Sequence, residues 1–203
     1  MNNRLVGSFV AGAMAALLAL PALAALAPGA TAPDFTATAS QVGKDFTFSL
    51  KQALAKGPVV VYFFPAAYTG GCDLEAHTFA QEKAKFVRAG ATIIGVSEDS
   101  IARLNEFSSD PKYCAGKFAV VSDPEGKIAT TYGVKMFPPQ KGVIDVRGQP
   151  VTHGFFARTT FVLNHDGKVI KVLSSEADHL TPNEHVTRSL AIVQNLQADD
   201  RAP

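Results

Sequence analysis

Charge of one sign is never concentrated in this chain: 19 basic residues stand against 18 acidic ones, a formal net charge of +1, and no block of like charge interrupts the sequence. That balance excludes a nucleic-acid surface and any strongly acidic partner, and leaves a small, neutral or nearly neutral substrate. Cysteine is scarcer still. With only Cys72 and Cys114, a four-thiolate zinc site is excluded. The five histidines, His77, His153, His165, His179 and His185, show no metal-ligand spacing and read as surface or packing residues. No metal and no other cofactor is expected. A long hydrophobic run is lacking too. The uncharged stretch Leu5 to Leu20 falls short of the roughly 20 residues a membrane span needs, and its many Ala and Gly make it weakly apolar.

That stretch has another reading. Arg4 supplies a short basic segment before it, and Pro21 precedes Ala22-Leu23-Ala24, the small-x-small form of a signal-peptidase site. Residues 1–24 are therefore expected to be a signal peptide cleaved after Ala24, and the protein to be secreted, into a periplasm, with no stable membrane association afterwards. Residues 25–32 read as a Pro/Gly/Ala connector, 33–197 as one domain, and 198–203 as a tail. Export changes the meaning of the two cysteines, because a pair of thiols persists as a disulfide in an oxidising compartment. From counting alone, a structural bridge without chemistry is the favoured reading.

What is present is a regular alternation of strand and helix patterns. Phe46 to Leu50 alternates like a short strand. Val59 to Phe64 is a continuous β-branched and aromatic run ended by Pro65, the pattern of a central strand buried on both faces. After a loop from Ala66 to Gly71, the residues from Cys72 to about Arg88 fit a helix, with Leu74, Phe79, Phe86 and Val87 on its apolar side and Gly90 as a stop. Strands follow at 92–96 and 117–121, helices at 101–107 and 125–132. A hairpin of 159–163 and 168–173 turns at Asp166-Gly167, and a final amphipathic helix spans 182–196. This order predicts an α/β domain with a central mixed sheet flanked by helices.

Cys72 sits where a buried strand has ended, a loop has turned and a helix begins. Unpaired amides and the positive end of the helix dipole favour thiolate over thiol there, and Gly70 and Gly71 let the backbone approach whatever lies over the sulfur. A free thiol titrates near ~8.5, so complete ionisation raises the reactive fraction at pH 7 by about 30-fold, roughly 2 kcal/mol of barrier. Efficient chemistry at this sulfur needs more, from donors that orient a substrate and stabilise its leaving group. Thr69 is placed to offer a hydroxyl. Taken singly, Pro65 reads as a strand terminator, Thr69 as a turn or helix-cap residue, and Arg158 as a surface charge. Glu75 reads as a helix-surface charge near the dipole.

Together these residues resemble a known family. Pro65, Thr69 and Cys72 match the P-x-x-x-T-x-x-C signature of the peroxiredoxins. The resemblance runs from Ala32-Pro33-Asp34-Phe35, through Ser122-Asp123, to Arg158-Thr159-Thr160-Phe161-Val162-Leu163. It implies a thioredoxin-like fold and a thiol-dependent peroxidase in which Cys72 is oxidised to a sulfenic acid. Thr69 would orient the peroxide, Pro65 would shield the sulfur, and Arg158 would hold the thiolate and polarise the substrate. The implied partners are a small peroxide and a thiol reductant, either a thioredoxin-like protein or a low-molecular-weight thiol; the chain itself is expected to be a monomer, which the resemblance does not decide. The subgroup related to bacterioferritin comigratory protein and peroxiredoxin Q often has a second cysteine five residues after the first, where this chain has His77. Cys114, 42 residues downstream (114 − 72), lies near where other members carry a resolving cysteine. Two rivals are an exported disulfide oxidoreductase, which wants C-x-x-C where Glu75 stands, and a copper-delivery module, which wants a second sulfur where Ala76 stands.

Overall fold

Residues 26–199 are described by a computed structural model; the expected signal segment and most of the tail lie outside them. In chain order the elements are β1 (Thr36–Gln41), β2 (Lys44–Ser49), α1 (Leu50–Leu54), β3 (Val59–Phe63), α2 (Gly70–Arg88), β4 (Thr92–Ser97), α3 (Ile101–Ser109), β5 (Ala119–Ser122), α4 (Lys127–Thr131), β6 (Met136–Phe137), β7 (Phe155–Phe156), β8 (Thr159–Leu163), β9 (Val169–Ser174) and α5 (Pro182–Asp199). Seven strands form one sheet in the order β2-β1-β5-β4-β3-β8-β9, and β6 pairs with β7 apart from it. Within the large sheet β3, β4 and β5 run parallel and the outer pairings are antiparallel. This is the mixed, helix-flanked sheet that the strand and helix pattern predicts.

All five residues of β3 are buried because both faces of that strand are covered. Side chains alternate across a strand. Val60 and Tyr62, with Phe64 beyond them, pack into one core cluster with residues of α2, α3 and α5; Val59, Val61 and Phe63 enter a second with α1, α4 and β8. The helix α2 corrects one expectation. Leu74 is 45% and Val87 57% exposed. Cys72, Ala76, Phe79 and Phe86 form the buried stripe instead, since residues three, four and seven apart share a face whereas Leu74 lies about 200° round from Cys72. The sulfur therefore points to the core.

Two features were not legible in the pattern. Strand β1 is Thr-Ala-Thr-Ala-Ser-Gln, with no large apolar residue to mark it. It is held by pairing with β2 and β5. The other is the excursion between β6 and β7. It folds back across the molecule, where the Val146 amide donates to the Tyr68 carbonyl at 2.9 Å.

The last helix carries a fully buried histidine, His185. Ser175 Oγ donates to the Leu180 carbonyl (2.8 Å), so at its 3.0 Å contact with His185 it accepts from Nε2–H. Nδ1 then accepts from the Thr160 hydroxyl at 2.9 Å. The ring is satisfied only when neutral, and burial, aided by the nearby Arg158 charge, lowers its pKa to about 4. A histidine lowered in the folded state binds its proton more readily when unfolded. Its contribution is complete above about pH 6.5 and disappears as pH falls towards 4. Urea unfolding between pH 7 and 4 should show up to about 3 kcal/mol of lost stability from this group. In His185→Asn that part of the pH dependence should vanish.

Candidate active site

The C-terminal ends of the three parallel strands assemble the site. After β3 the Phe64 amide still bonds the Val96 carbonyl (3.0 Å), and Pro65 then breaks the ladder, because it has no N–H to donate. The loop that follows is held on both sides of one residue: the Ala67 amide donates to Asp99 Oδ2 (2.7 Å), and Arg103 Nη2 donates to the Ala67 carbonyl (2.8 Å). Asp99, beyond β4, is fully buried and pairs with Arg103 (Nε to Oδ1, 2.8 Å). Ser122, ending β5, donates to the Asp99 carbonyl (2.7 Å). The Arg147 guanidinium lies 3.3 Å from the centroid of the Tyr68 ring. This support fixes where the next turn, Thr69 to Cys72, begins.

Cys72 is the third residue of α2, and its amide bonds the Thr69 carbonyl at 2.8 Å. The residue is 2% exposed. Arg158 reaches it from β8: because Thr159 pairs with Phe63 in antiparallel register, Arg158 falls beside Phe64 at the mouth of the loop. Its Nη2 donates to Cys72 Sγ at 3.3 Å, and its Nη1 donates to Glu75 Oε2. Gly71 makes room for this. A Cβ there would stand 3.2 Å from Arg158 Nη2, whereas one on Gly70 would meet nothing within 4 Å, so only the second glycine serves the approach.

Glu75 is not the surface charge that its position in the helix predicts. It is fully buried beneath Arg158, and burial, opposed by the guanidinium, raises its carboxyl to about 7. Burial also pushes the Cys72 thiol up. Arg158 first, then the Ala66 amide, pull it back towards ionisation, and the Glu75 charge opposes them. Arg158 thus divides one cation between two buried acids, and its position sets how much of the sulfur is thiolate.

Thr69 occupies the N-cap position of α2, yet its side chain makes no capping bond. Its hydroxyl donates instead to the Ala66 carbonyl (2.7 Å), leaving oxygen lone pairs as acceptors. Pro65 is half-buried at the loop's entrance. Cys114 is a free, fully buried thiol in the same core cluster as Cys72, in the loop after α3. Burial, then the charges of Asp73 and Asp110, push it well up. The structure thus brings Thr69, Cys72 and Arg158 together at the loop that Pro65 opens, with Cys114 in the same core cluster. Sequence reasoning missed Asp99, Arg103 and the excursion carrying Arg147. Their only signal was the dispersed set of single charges. His153 supports the same group, with Nε2 2.9 Å from Asp99 Oδ1 and Nδ1 2.7 Å from the Gly154 carbonyl; burial works against its charge, and the Asp99 bond more than offsets that and raises its pKa.

A buried thiol at a helix start, beneath an arginine on a thioredoxin-like sheet, defines a cysteine-based redox enzyme. Comparison with known proteins makes the assignment narrower. The AhpC/TSA family matches residues 28–172. The chain is 32% identical over 170 residues to the chloroplastic peroxiredoxin Q of Oryza sativa subsp. japonica, covering 83% of this chain and 67% of that protein. Among solved structures it is similar to peroxidoxin BcpB of Mycobacterium tuberculosis, with a TM-score of 0.67 and 29% identity over 84% of this chain and 98% of that one. It is also similar to the bacterioferritin comigratory protein of Xanthomonas campestris, described by its alkyl peroxide reduction activity, with a TM-score of 0.60 and 25% identity over 79% and 91%. The chain belongs to the AhpC/TSA family and is a peroxiredoxin, a thiol-dependent peroxidase.

Arg158 uses different nitrogens for Glu75 and Cys72, which a single ammonium does not reproduce. Arg158→Lys should therefore lower the second-order rate with peroxide by about 10²-fold. It should also move the inflection of Cys72 alkylation to higher pH. An unchanged inflection would show that the guanidinium does not govern the thiol.

Proposed function

We propose that Cys72 reduces the peroxide directly and that Cys114 then resolves the product as an intramolecular disulfide. The observation that carries this is the 3.3 Å approach of Arg158 Nη2 to a buried Cys72 sulfur, beside a hydroxyl with free lone pairs. A peroxide entering past Pro65 gives its O–H to Thr69 Oγ1 and accepts from Arg158, which holds the O–O bond in line with the sulfur. The thiolate attacks one oxygen. The S–O bond forms as the O–O bond breaks, the peroxide's own proton passes to the departing oxygen so that water or an alcohol leaves, and the sulfenate takes a proton from solvent to become the sulfenic acid. Charge develops on that oxygen next to a fixed cation in a site largely closed to water, which is where such a cation lowers the barrier most.

The Cys114 sulfur then displaces hydroxide from the sulfenic acid. Both sulfurs lie in the core, so the first turn of α2 must open for them to meet; the resulting loop constrains the unfolded chain by about 4 kcal/mol in the entropy model. A thiol reductant, whether a thioredoxin-like protein or a small thiol, restores the pair. Val146, 59% exposed, places apolar surface by the loop, its amide on the Tyr68 carbonyl. It favours organic hydroperoxides, as does the alkyl peroxide activity attached to the Xanthomonas protein. Export through residues 1–24 belongs to the same reading and rests on their sequence pattern; N-terminal sequencing of the periplasmic protein should begin at Ala25.

One equivalent of peroxide should give the wild type a Cys72–Cys114 disulfide by peptide mass spectrometry. Cys114→Ser should complete one turnover and accumulate the Cys72 sulfenic acid, and Cys72→Ser should consume no peroxide. A stable Cys72 sulfenic acid in the wild type, with Cys114 still free, would overturn the resolving role and leave the peroxidatic one standing.

A further inference from the structure

Asp73 is the one acidic residue in the first turn of α2, where the positive end of a helix dipole would favour an exposed carboxylate. It is instead 8% exposed, and its Oδ1 has no hydrogen-bond partner among the described residues. An ionisable group closed off in this way is costly to keep unless it is used.

The direction in which it is buried follows from its helix. Asp73 and His77 are four residues apart and share one side of α2. His77 Nδ1 donates to the Lys112 carbonyl at 2.9 Å, so that side faces the loop from Asp110 to Gly116. At the other end of the same contact, Tyr113 packs edge-on against Tyr68, with ring centroids 5.3 Å apart. Asp73 lies between these two fixed points, and Cys114 is the residue after Tyr113. The Asp73 charge accordingly acts on both Tyr113 and Cys114.

We propose that Asp73 is the general base of the resolving step, taking the proton of the Cys114 thiol as that sulfur attacks the Cys72 sulfenic acid. This rests on the resolving role of Cys114 given above. The Cys114 S–H bond breaks and its proton passes to the Asp73 carboxylate. The S–S bond forms as the S–O bond of the sulfenic acid breaks. The departing hydroxide takes the proton from the Asp73 carboxyl, so that water leaves and the carboxylate is regenerated. Asp73 is joined to Cys72 through one peptide bond, and so it stays beside the sulfenic acid when the first turn of α2 opens. Arg158 cannot serve here, since its guanidinium has no lone pair with which to take up a proton; Asp110, the other carboxylate whose charge reaches Cys114, is engaged by the Lys112 amide at 2.9 Å.

The environment also sets the working range. Burial raises the Asp73 carboxyl to about 6; the Tyr68 amide opposes this, Asp145 from the β6–β7 excursion and Asp110 from the facing loop add to it, and Arg103 from α3 opposes it. His77 is the other titratable group on that side of the helix, and Arg147 stands by Tyr113. The carboxylate is thus available above about pH 6 and is lost below it. A base with a pKa near the working pH is also the most effective one.

The test starts from protein oxidised by one equivalent of hydrogen peroxide in a rapid-quench apparatus, with disulfide formation followed by non-reducing peptide mass spectrometry between pH 5 and 8. The wild-type rate should rise through an inflection near pH 6. Asp73→Asn should form the disulfide about 10- to 100-fold more slowly at pH 7, without that inflection. Asp73→Glu should recover a pH inflection, which a purely packing role for Asp73 would not produce. Disulfide formation in Asp73→Asn at the wild-type rate and with the wild-type profile would overturn the general-base role alone. Failure of the wild type to form the disulfide would overturn the resolving role of Cys114, and the base with it.

Discussion

One cation shared between two buried acids is the constraint on which this molecule depends. The Arg158 side chain is 10% exposed, with Glu75 on one guanidinium nitrogen and the Cys72 sulfur on another. A buried charge without a partner is among the most costly groups a fold can hold. Arg158 and Glu75 are acceptable here because each is the other's counter-charge, and the Cys72 thiolate is acceptable because Arg158 is beside it. The consequence for reactivity is direct: burial alone would keep Cys72 protonated, and the same burial makes the nearby guanidinium effective against that tendency. Peroxide chemistry and stability are therefore governed by one set of contacts.

Holding that arrangement in register is the task of the strand ends. Asp99, Ser122 and Arg103 clamp the Ala66–Tyr68 turn from beneath, and the excursion between β6 and β7 closes over it through Asp145 and Arg147. Asp145 accepts from Arg147 while facing Arg103, so two arginines from distant parts of the chain are fixed against the Tyr68 ring. The side of α2 that carries Asp73 and His77 is fixed in turn against the loop that bears Cys114. The two thiols thus belong to one cooperative region, and moving them together means opening contacts that hold both.

Much of the fold was readable along the chain because its signals are local. The apolar run of β3 has to be covered on both faces, the stretch from Cys72 to Arg88 has helical spacing, and Asp166-Gly167 marks its hairpin turn. Strand β1 was invisible because Thr and Ala alternate in it without apolar contrast, and only its neighbours make it a strand. Leu74 and Val87 were assigned to the wrong side of α2, since a few apolar residues in one helix are compatible with more than one stripe, and the packing against the sheet chooses among them.

By itself the sequence determined the class of chemistry through a resemblance, because Pro65, Thr69 and Cys72 lie close enough along the chain for the peroxiredoxin signature to be legible in it. It also put a thiol there with few other sulfurs to confuse the assignment. Only the tertiary structure decided the partners of that thiol. Glu75 turned out to be a buried counter-charge and Asp73 a secluded acid, and Arg158 reached the sulfur from 86 residues away. Burial and long-range approach depend on how strands pair and which helix face meets the sheet, and no local pattern of residues encodes either.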